Sequence, residues 1–369
     1  MKLTVLQENL KKAVNLTSHF ISNKAQLPIL SNILIKTDKS KLILSATNLE
    51  NSITTSISCK IDEEGEICVN GKILNEMISN LSSGNIDIDA SKEQLKITSA
   101  KFKSNLLGTN TLDFPKLSNS LGKNTLLINK EDFVKNLSKV LFSTSLDETR
   151  PILTGVMFAF DSNHLSFVST DGFRLSEVKL KSKIDSENFS LIIPKAILNE
   201  IVKIEDEGDI EMFYDKSNNQ IVFKIGDIIL SSRIIEGSFP DYKKIIPKSS
   251  EIIINVDKIE LEKALKLSSI FSRDASNIVK IKIKDQLLIV EAESSTSGKQ
   301  ETEIEIRSED KIKKDLEIMF NFRFLEEVLK SIESDEVQIK ILDANTAAIF
   351  LDPENSNFLH LIMPIKSQK

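Results

Sequence analysis

The sequence predicts an α+β fold of three repeated domains, each with two helices on antiparallel sheets. Three observations predict it. One stretch occurs three times: Val69-Asn70-Gly71-Lys72-Ile73-Leu74-Asn75-Glu76-Met77, then Ile193-Pro194-Lys195-Ala196-Ile197-Leu198-Asn199-Glu200-Ile201, and more weakly Phe320-Asn321-Phe322-Arg323-Phe324-Leu325-Glu326-Glu327-Val328. Ile73 and Ile197 lie 124 residues apart, Ile197 and Phe324 127 apart. Other segments hold nearly the same register. Pro151-Ile152-Leu153 repeats Pro28-Ile29-Leu30 at 123, segment 165–171 repeats 42–48 at 123, and Phe239-Pro240 repeats Phe114-Pro115 at 125. An offset that drifts by single residues is what loop insertions leave after duplication, and a period this long means repeated domains rather than a solenoid. Within each repeat, finally, two helix-spaced segments stand among many strand-like ones.

The elements follow in order. Repeat one covers residues 1–124. It opens with a strand at 3–5 and a helix over 7–20, whose apolar Leu10, Ala13, Val14 and Leu16 oppose Lys11, Lys12 and Asn15. Lys24 falls in a turn. Strands are predicted through 35 and at 41–46 and 48–59, then the repeated helix at 73–81, then strands at 86–89, 95–98 and 103–107. Repeat two, 125–250, starts at Leu126 after a polar connection and carries a helix with Phe133, Val134, Leu137 and Leu141. Repeat three, 251–369, starts at Ile252. A helix near 258–271 carries Leu261, Ala264, Leu265 and Ile270. Strands follow at 279–283, 287–291 and 301–306, then the repeated helix at 324–332 and strands at 337–342, 347–351 and 358–362. Repeats that share one edge chemistry are able to extend sheets from one to the next, which leads toward a closed ring without exposed edges.

Composition bounds the function. The chain is 40% apolar and 28% charged, with a formal net charge of −6, three histidines, two cysteines, two tyrosines and no tryptophan. The negative balance argues against non-specific nucleic-acid binding by the surface as a whole. The shortage of Trp and Tyr argues against a base-stacking platform. No apolar run reaches bilayer length and no signal-peptide core precedes the first strand, so Cys59 and Cys68 read as reduced core thiols rather than the disulfide their neighbouring segments would also allow, in the cytoplasm, with no membrane partner.

No catalytic constellation is present. Both phosphate-cradling glycine motifs are absent, His19, His164 and His360 lack metal-ligand spacing, and Glu205-Asp206-Glu207 reads as a solvated turn. No metal and no cofactor is expected. Three segments stand apart. Thr170-Asp171-Gly172-Phe173-Arg174-Leu175 reads as a strand ending in an Asp-Gly turn. Its functional reading is that Gly172 lets the chain double back and presents Arg174 and Leu175 beside a groove. The segment from Phe239 to Pro247 reads as a connector, and Leu361-Ile362-Met363-Pro364-Ile365-Lys366 as a last core strand. Together they are placed to line one apolar cleft between repeats two and three, where pockets prefer to lie.

These residues resemble a known family. Thr170 to Leu175, Phe239-Pro240-Asp241-Tyr242, Met363-Pro364, and Glu148-Thr149-Arg150-Pro151-Ile152-Leu153-Thr154-Gly155 are similar, in order and spacing over the whole chain, to the bacterial DNA polymerase III beta subunit, the replicative sliding clamp. The resemblance implies the DNA clamp fold and a head-to-tail homodimer forming a ring, with helices facing a central hole that holds duplex DNA without sequence preference. It implies no enzymatic activity: such a clamp is a processivity factor. Its implied partners are the clamp loader, the DNA polymerase III alpha subunit and other polymerases, repair proteins and ligase, all docking linear peptides between repeats two and three.

By resemblance the peptide pocket is Leu153, Thr170, Gly172, Phe173, Arg174, Leu175, Pro240, Lys244, Ile245, Ala348, Leu361, Met363, Pro364, Ile365 and Lys366. An apolar cleft suits Leu or Phe anchors, and Met adapts to several of them. Phe173 stands where many relatives have His, and Lys244 and Lys366 where Arg is frequent. Ser367-Gln368-Lys369 extends past the usual end. The DNA-facing candidates are Lys11, Lys12, Lys24, Lys72, Lys135, Lys139, Lys195, Lys263, Lys266 and Arg323. At the dimer contact, Lys101 and Lys103 would face Glu301, Glu303 or Glu305, with Ile270 and Phe271 apolar between them. Two other classes compete. A peptide-binding scaffold of the same repeats would not enclose DNA, and a hydrolase on Asp171 and Arg174 lacks a nucleophile or base.

Overall fold

Strand, helix, three strands, strand, helix, three strands: this order recurs three times in the computed structural model. The model describes residues 1–369 apart from 23–26, 92, 119–120, 123–124, 182–187, 207, 274–275, 309–311, 313–314 and 367–369. Lys24 and the tail Ser367-Gln368-Lys369 therefore lie outside the described residues.

The first repeat comprises β1 (Lys2–Leu6), α1 (Gln7–Ser18), β2 (Asn32–Asp38), β3 (Lys41–Thr47), β4 (Asn51–Ser58), β6 (Glu66–Asn70), α2 (Gly71–Ser79), β7 (Asn85–Ser91), β8 (Gln94–Ser99) and β9 (Phe102–Thr109), with a short additional β5 (Lys60–Glu63). The second comprises β10 (Leu126–Asn129), α3 (Lys130–Leu141), β11 (Gly155–Phe160), β12 (His164–Thr170), β13 (Arg174–Lys181), β14 (Phe189–Pro194), α4 (Lys195–Lys203), β15 (Asp209–Asp215), β16 (Gln220–Ile225) and β17 (Ile228–Arg233). The third comprises β18 (Ile252–Asp257), α5 (Lys258–Ser272), β19 (Ile278–Lys284), β20 (Leu287–Ser294), β21 (Gly298–Ser308), β22 (Leu316–Asn321), α6 (Phe322–Leu329), β23 (Glu336–Ile341), β24 (Ala348–Asp352) and β25 (Asn355–Ile362).

The repeated stretch is built as its sequence implies, shifted by two residues. In α2 the Asn70 side chain accepts the Ile73 N–H at 3.0 Å, so the helix begins at Gly71 rather than Ile73. Asn321 does the same for Arg323 N–H at 3.0 Å, and α6 begins at Phe322. The polar corner in the first and third copies is thus an N-cap that satisfies one of the free first-turn donors. Leu10, Ala13, Val14 and Thr17 of α1 are buried, as helical spacing requires.

By contacts the chain divides into two compact units, Met1–Lys130 with Lys203–Ile234, and Glu131–Val202 with Ile235–Lys369. Each unit holds one sheet whose pairings are antiparallel. In the first, the order is β10-β15-β16-β17-β4-β3-β2-β6-β9-β8-β7-β1-β5. In the second, it is β14-β11-β12-β13-β25-β24-β23-β18-β21-β20-β19-β22. The sheets run on from one repeat to the next. β17 of repeat two pairs with β4 of repeat one from Ile228–Thr55 to Ser232–Asn51, and β13 pairs with β25 of repeat three from Arg174–Ile362 to Val178–Phe358.

In the second unit, strand alternation separates two faces. Phe158 of β11 and Phe167 of β12 meet Phe133 of α3 edge-on, at centroid distances of 6.0 and 5.4 Å. Their neighbours Met157 and Val168 look the other way, into a second cluster with Leu175, Tyr242, Ala347, Ile349 and Leu361. Neither cysteine is in a disulfide; Cys68 is buried and Cys59 half-buried.

Candidate functional site

The second cluster is the floor of a surface whose rim is apolar and exposed. The hairpin β12–β13 closes over Asp171, Gly172 and Phe173, and Gly172 takes φ +93°, where a side chain is strained. Asp171 Oδ1 accepts the N–H groups of Phe173 (2.8 Å) and Arg174 (3.0 Å), and the Thr170 hydroxyl donates to the Arg174 carbonyl at 2.6 Å. The tip so held leaves Phe173 61% exposed. Leu175 turns inward to the floor. The chain end is tied to this tip: Met363 N–H donates to the Phe173 carbonyl at 2.8 Å, and Ile365 N–H to the Met319 carbonyl at 2.8 Å. Met363 is 40% exposed and Ile245, on the connector that buries Tyr242, is 50% exposed. Pro240, Lys244 and Lys366 are exposed and Pro364 half-buried. Lys244 pairs with Asp241 at 2.8 Å, which raises its pKa.

Two expected pocket residues are placed differently. Ala348 is fully buried and paired with Ile362. Its neighbours Ala347 and Ile349 belong to the floor, so Ala348 is on the opposite face of β24, and a one-residue step in register exchanges the faces. Arg174 is buried and its guanidinium is already occupied. Nε donates to Asp171 Oδ2 at 3.0 Å, Nη2 to the Phe142 carbonyl at 2.8 Å, and Nη1 to Glu327 of α6. It stacks between Phe324 and Phe142, 4.4 and 5.3 Å from their centroids. Rather than presenting itself beside the groove, Arg174 anchors the hairpin; Phe173 is the residue presented. Leu153 is buried in the loop whose Arg150 reaches the Asp171 carbonyl at 3.5 Å and Asp147 at 2.8 Å. Sequence reasoning placed Tyr242 in a segment lining the cleft but missed Met157 and Ala347 as floor residues. The signal was present, since Met157 and Ala347 alternate with residues of the helix-covered face.

The nine described DNA-facing candidates all lie on helices: Lys11 and Lys12 on α1, Lys72 on α2, Lys135 and Lys139 on α3, Lys195 on α4, Lys263 and Lys266 on α5, Arg323 on α6. Lys11 and Lys12 line a shallow groove with Asn15 and Ser83. Lys11, Lys12, Lys72, Lys263, Lys266 and Arg323 are exposed. Lys139 is not free to face DNA. It is 4% exposed and pairs with Glu333 at 2.8 Å, because helical spacing turns it onto the same acid as Lys135, also 2.8 Å away. Lys195 is half-buried, and burial, then the neighbouring Arg174, pushes its pKa down.

The expected subunit contacts lie on open strand edges. β9 pairs with β8 from Phe102 to Leu107 but with β6 only at Gly108 and Thr109. β21 pairs with β20 from Gly298 to Glu305 but with β18 only from Ile306 to Ser308. Among the described residues each therefore offers unpaired backbone groups on one side, beside exposed Lys101 and Lys103 in one case and exposed Glu301, Glu303 and Glu305 in the other. Ile270 is exposed and Phe271 half-buried. Leu107, exposed on the same face as Lys103, was missed; it is a lone leucine among the polar positions of an alternating strand. Among the described residues, no group of His, Cys, Asp and Glu is arranged to hold a metal ion, and no helix is long and apolar enough to cross a membrane.

Comparison with known proteins matches the chain throughout. Models of the DNA polymerase III beta subunit cover residues 1–118 (N-terminal domain), 127–241 (central domain) and 243–366 (C-terminal domain). The beta sliding clamps of Staphylococcus epidermidis and Staphylococcus aureus are each 28% identical, over 378 and 379 residues, with full coverage of both chains. Among solved structures, the DNA polymerase III beta chain of Streptococcus pneumoniae is 28% identical with a TM-score of 0.92, covering 99% of this chain and 100% of that one. The beta subunit of Thermotoga maritima is 25% identical with a TM-score of 0.91 over 100% of both. With three family domains in series and a clamp architecture over the whole length, the chain belongs to the bacterial DNA polymerase III beta subunit family, the DNA sliding clamps.

Proposed function

We propose that two copies of this chain join head to tail, the β9 edge of one against the β21 edge of the other, into a ring that encloses duplex DNA. The repeats 1–124, 125–250 and 251–369 then supply six domains. A sliding clamp is a processivity factor and not a catalytic enzyme, and its hold on DNA is topological. Weak contacts suit that role, because many phosphate contacts would impose a steep salt dependence and drag. The exposed helix cations Lys11, Lys12, Lys72, Lys263, Lys266 and Arg323, on a chain of net charge −6, support it. Replication takes place in the cytoplasm, where we place the protein.

Partners dock by short peptides on the rim of Phe173, Ile245 and Met363, above the floor of Leu175, Leu361 and Tyr242. The observation that carries this reading is three large apolar side chains left exposed over a buried apolar cluster, flanked by Lys244 and Lys366. Such a surface takes Leu or Phe anchors. The polymerase alpha subunit, other polymerases, the clamp loader, repair proteins and ligase are its partners in this reading.

The first test is retention on nicked circular DNA after loading, at raised salt, before and after the circle is cut. Retention on the circle with loss from the linear form is the expected result. Equal loss from both would replace the ring with a scaffold that binds peptides alone. Phe173→Ala and Met363→Ala should each weaken a Leu/Phe-anchored peptide by about tenfold or more with the fold intact.

A further inference from the structure

We infer that the docking surface does not end at Tyr242 but continues into a polar cleft of about 520 Å³ that takes an acidic residue in the flank of the docked peptide. This rests on the peptide-docking reading above and adds to it the chemistry of the flank.

The cleft and the apolar floor share one sheet face. Along β13, Leu175, Glu177 and Lys179 fall on the same side, opposite Thr170, Val168 and Ser166 of β12. Leu175 belongs to the floor; Glu177 and Lys179 line the cleft. Four residues of strand span about 13 Å, so a few residues of extended peptide cover the distance. Tyr242 belongs to both sites. Its ring is in the apolar cluster and its hydroxyl donates to Glu177 Oε1 at 2.8 Å. Ala159 lines the cleft and packs against the cluster as well.

The accessible charge in the cleft is positive, although carboxylates also line it. Glu177 is 7% exposed, and its carboxylate is taken up by the Tyr242 hydroxyl and by Lys179 at 3.9 Å. Asp161 is turned onto its own loop. It accepts the N–H groups of Asn163 (2.9 Å) and His164 (2.8 Å) and lies 3.6 Å from His164 Nδ1. The Lys179 side chain is half exposed, and Lys243 is exposed and makes no ion pair among the described residues. Both lysines line the cleft, Lys179 two residues beyond Glu177 on the same strand and Lys243 next to Tyr242. A carboxylate entering there meets two ammonium groups, with the Glu177 carboxylate taken up and Asp161, half exposed, held through Oδ1 on its own loop.

The experiment uses the full-length chain and fluorescence anisotropy of synthetic peptides. One carries Leu and Phe anchors in a neutral frame; others add paired Asp or paired Lys a few residues beyond the anchors, at either end. We expect one Asp-flanked peptide to bind about three- to tenfold tighter than the neutral one, and the Lys-flanked peptides not to gain. The gain should vanish at raised salt and in the Lys179→Gln/Lys243→Gln double variant, whose affinity for the neutral peptide should be unchanged. Equal affinity for Asp- and Lys-flanked peptides, or a gain that survives the double variant, would overturn the inference while leaving the docking reading standing. Failure of the neutral peptide to bind wild type would instead remove the docking reading, and this inference with it.

Discussion

The Arg174–Glu327 contact makes a quantitative prediction about the hairpin that presents Phe173. Arg174 is 8% exposed at its side chain and Glu327 40%. A hydrogen bond to a charged partner contributes about 1.5–3 kcal/mol, and exposure of Glu327 brings this down to about 1 kcal/mol. Glu327→Gln keeps the shape and removes the charge that faces both Arg174 and Lys195. It should raise local opening of residues 170–178 about fivefold. Arg174→Ala removes three donors, leaves the Phe142 carbonyl without its partner, and strips a side chain from between two aromatic rings. That should cost about 2–4 kcal/mol, on the order of 30- to 1,000-fold in opening. Hydrogen exchange read by mass spectrometry measures both, through the amides of Phe173 and Arg174 that Asp171 holds. The double variant should match Arg174→Ala within about twofold, since the second change removes a partner already lost. If the two effects multiply instead, Arg174 and Glu327 act independently and the anchoring role of Arg174 fails.

Three further outcomes are expected. Lys103→Glu should weaken self-association about fivefold by sedimentation, and Glu303→Lys in the same chain should restore part of it; an unchanged dissociation constant counts against the β9–β21 pairing. The Lys135 and Lys139 ammonium groups hold the Glu333 carboxyl below its usual range, so its contribution is full above the ordinary glutamate value near 4.5 and is lost as pH falls through the lowered folded value. Melting temperature should therefore fall less steeply between about pH 6 and pH 3 in Glu333→Gln than in wild type. Ala348→Leu should destabilise the second unit by about 1–3 kcal/mol, because the site is fully buried, whereas a surface pocket position would tolerate it; an unaltered urea midpoint would return Ala348 to the pocket.

Much of this architecture was legible in the chain because duplication writes the same local physics three times. The Asn-capped corners before α2 and α6, the helical period of α1 and the Asp-Gly hairpin are all local, and all stand where the sequence puts them, within about two residues. What was not legible is tertiary. The partner of Arg174 lies 153 residues away on helix α6, so an arginine beside an Asp-Gly turn reads as a presented contact when it is a strut. Lys139 carries the same spacing as any exposed helical lysine, and only the position of Glu333 reveals its burial. Ala347 and Ala348 are identical residues side by side, and strand register alone decides which one joins the Leu175–Leu361 cluster.

The joins between repeats carry a consequence of their own. β4 meets β17 and β13 meets β25 through backbone N–H and C=O groups, which every residue except proline carries in full. Such a seam is blind to side-chain identity. Repeats joined in this way are free to differ on both faces, one carrying the Phe173 hairpin and another the Glu301–Glu305 edge, without loosening the backbone pairing that holds neighbouring repeats together.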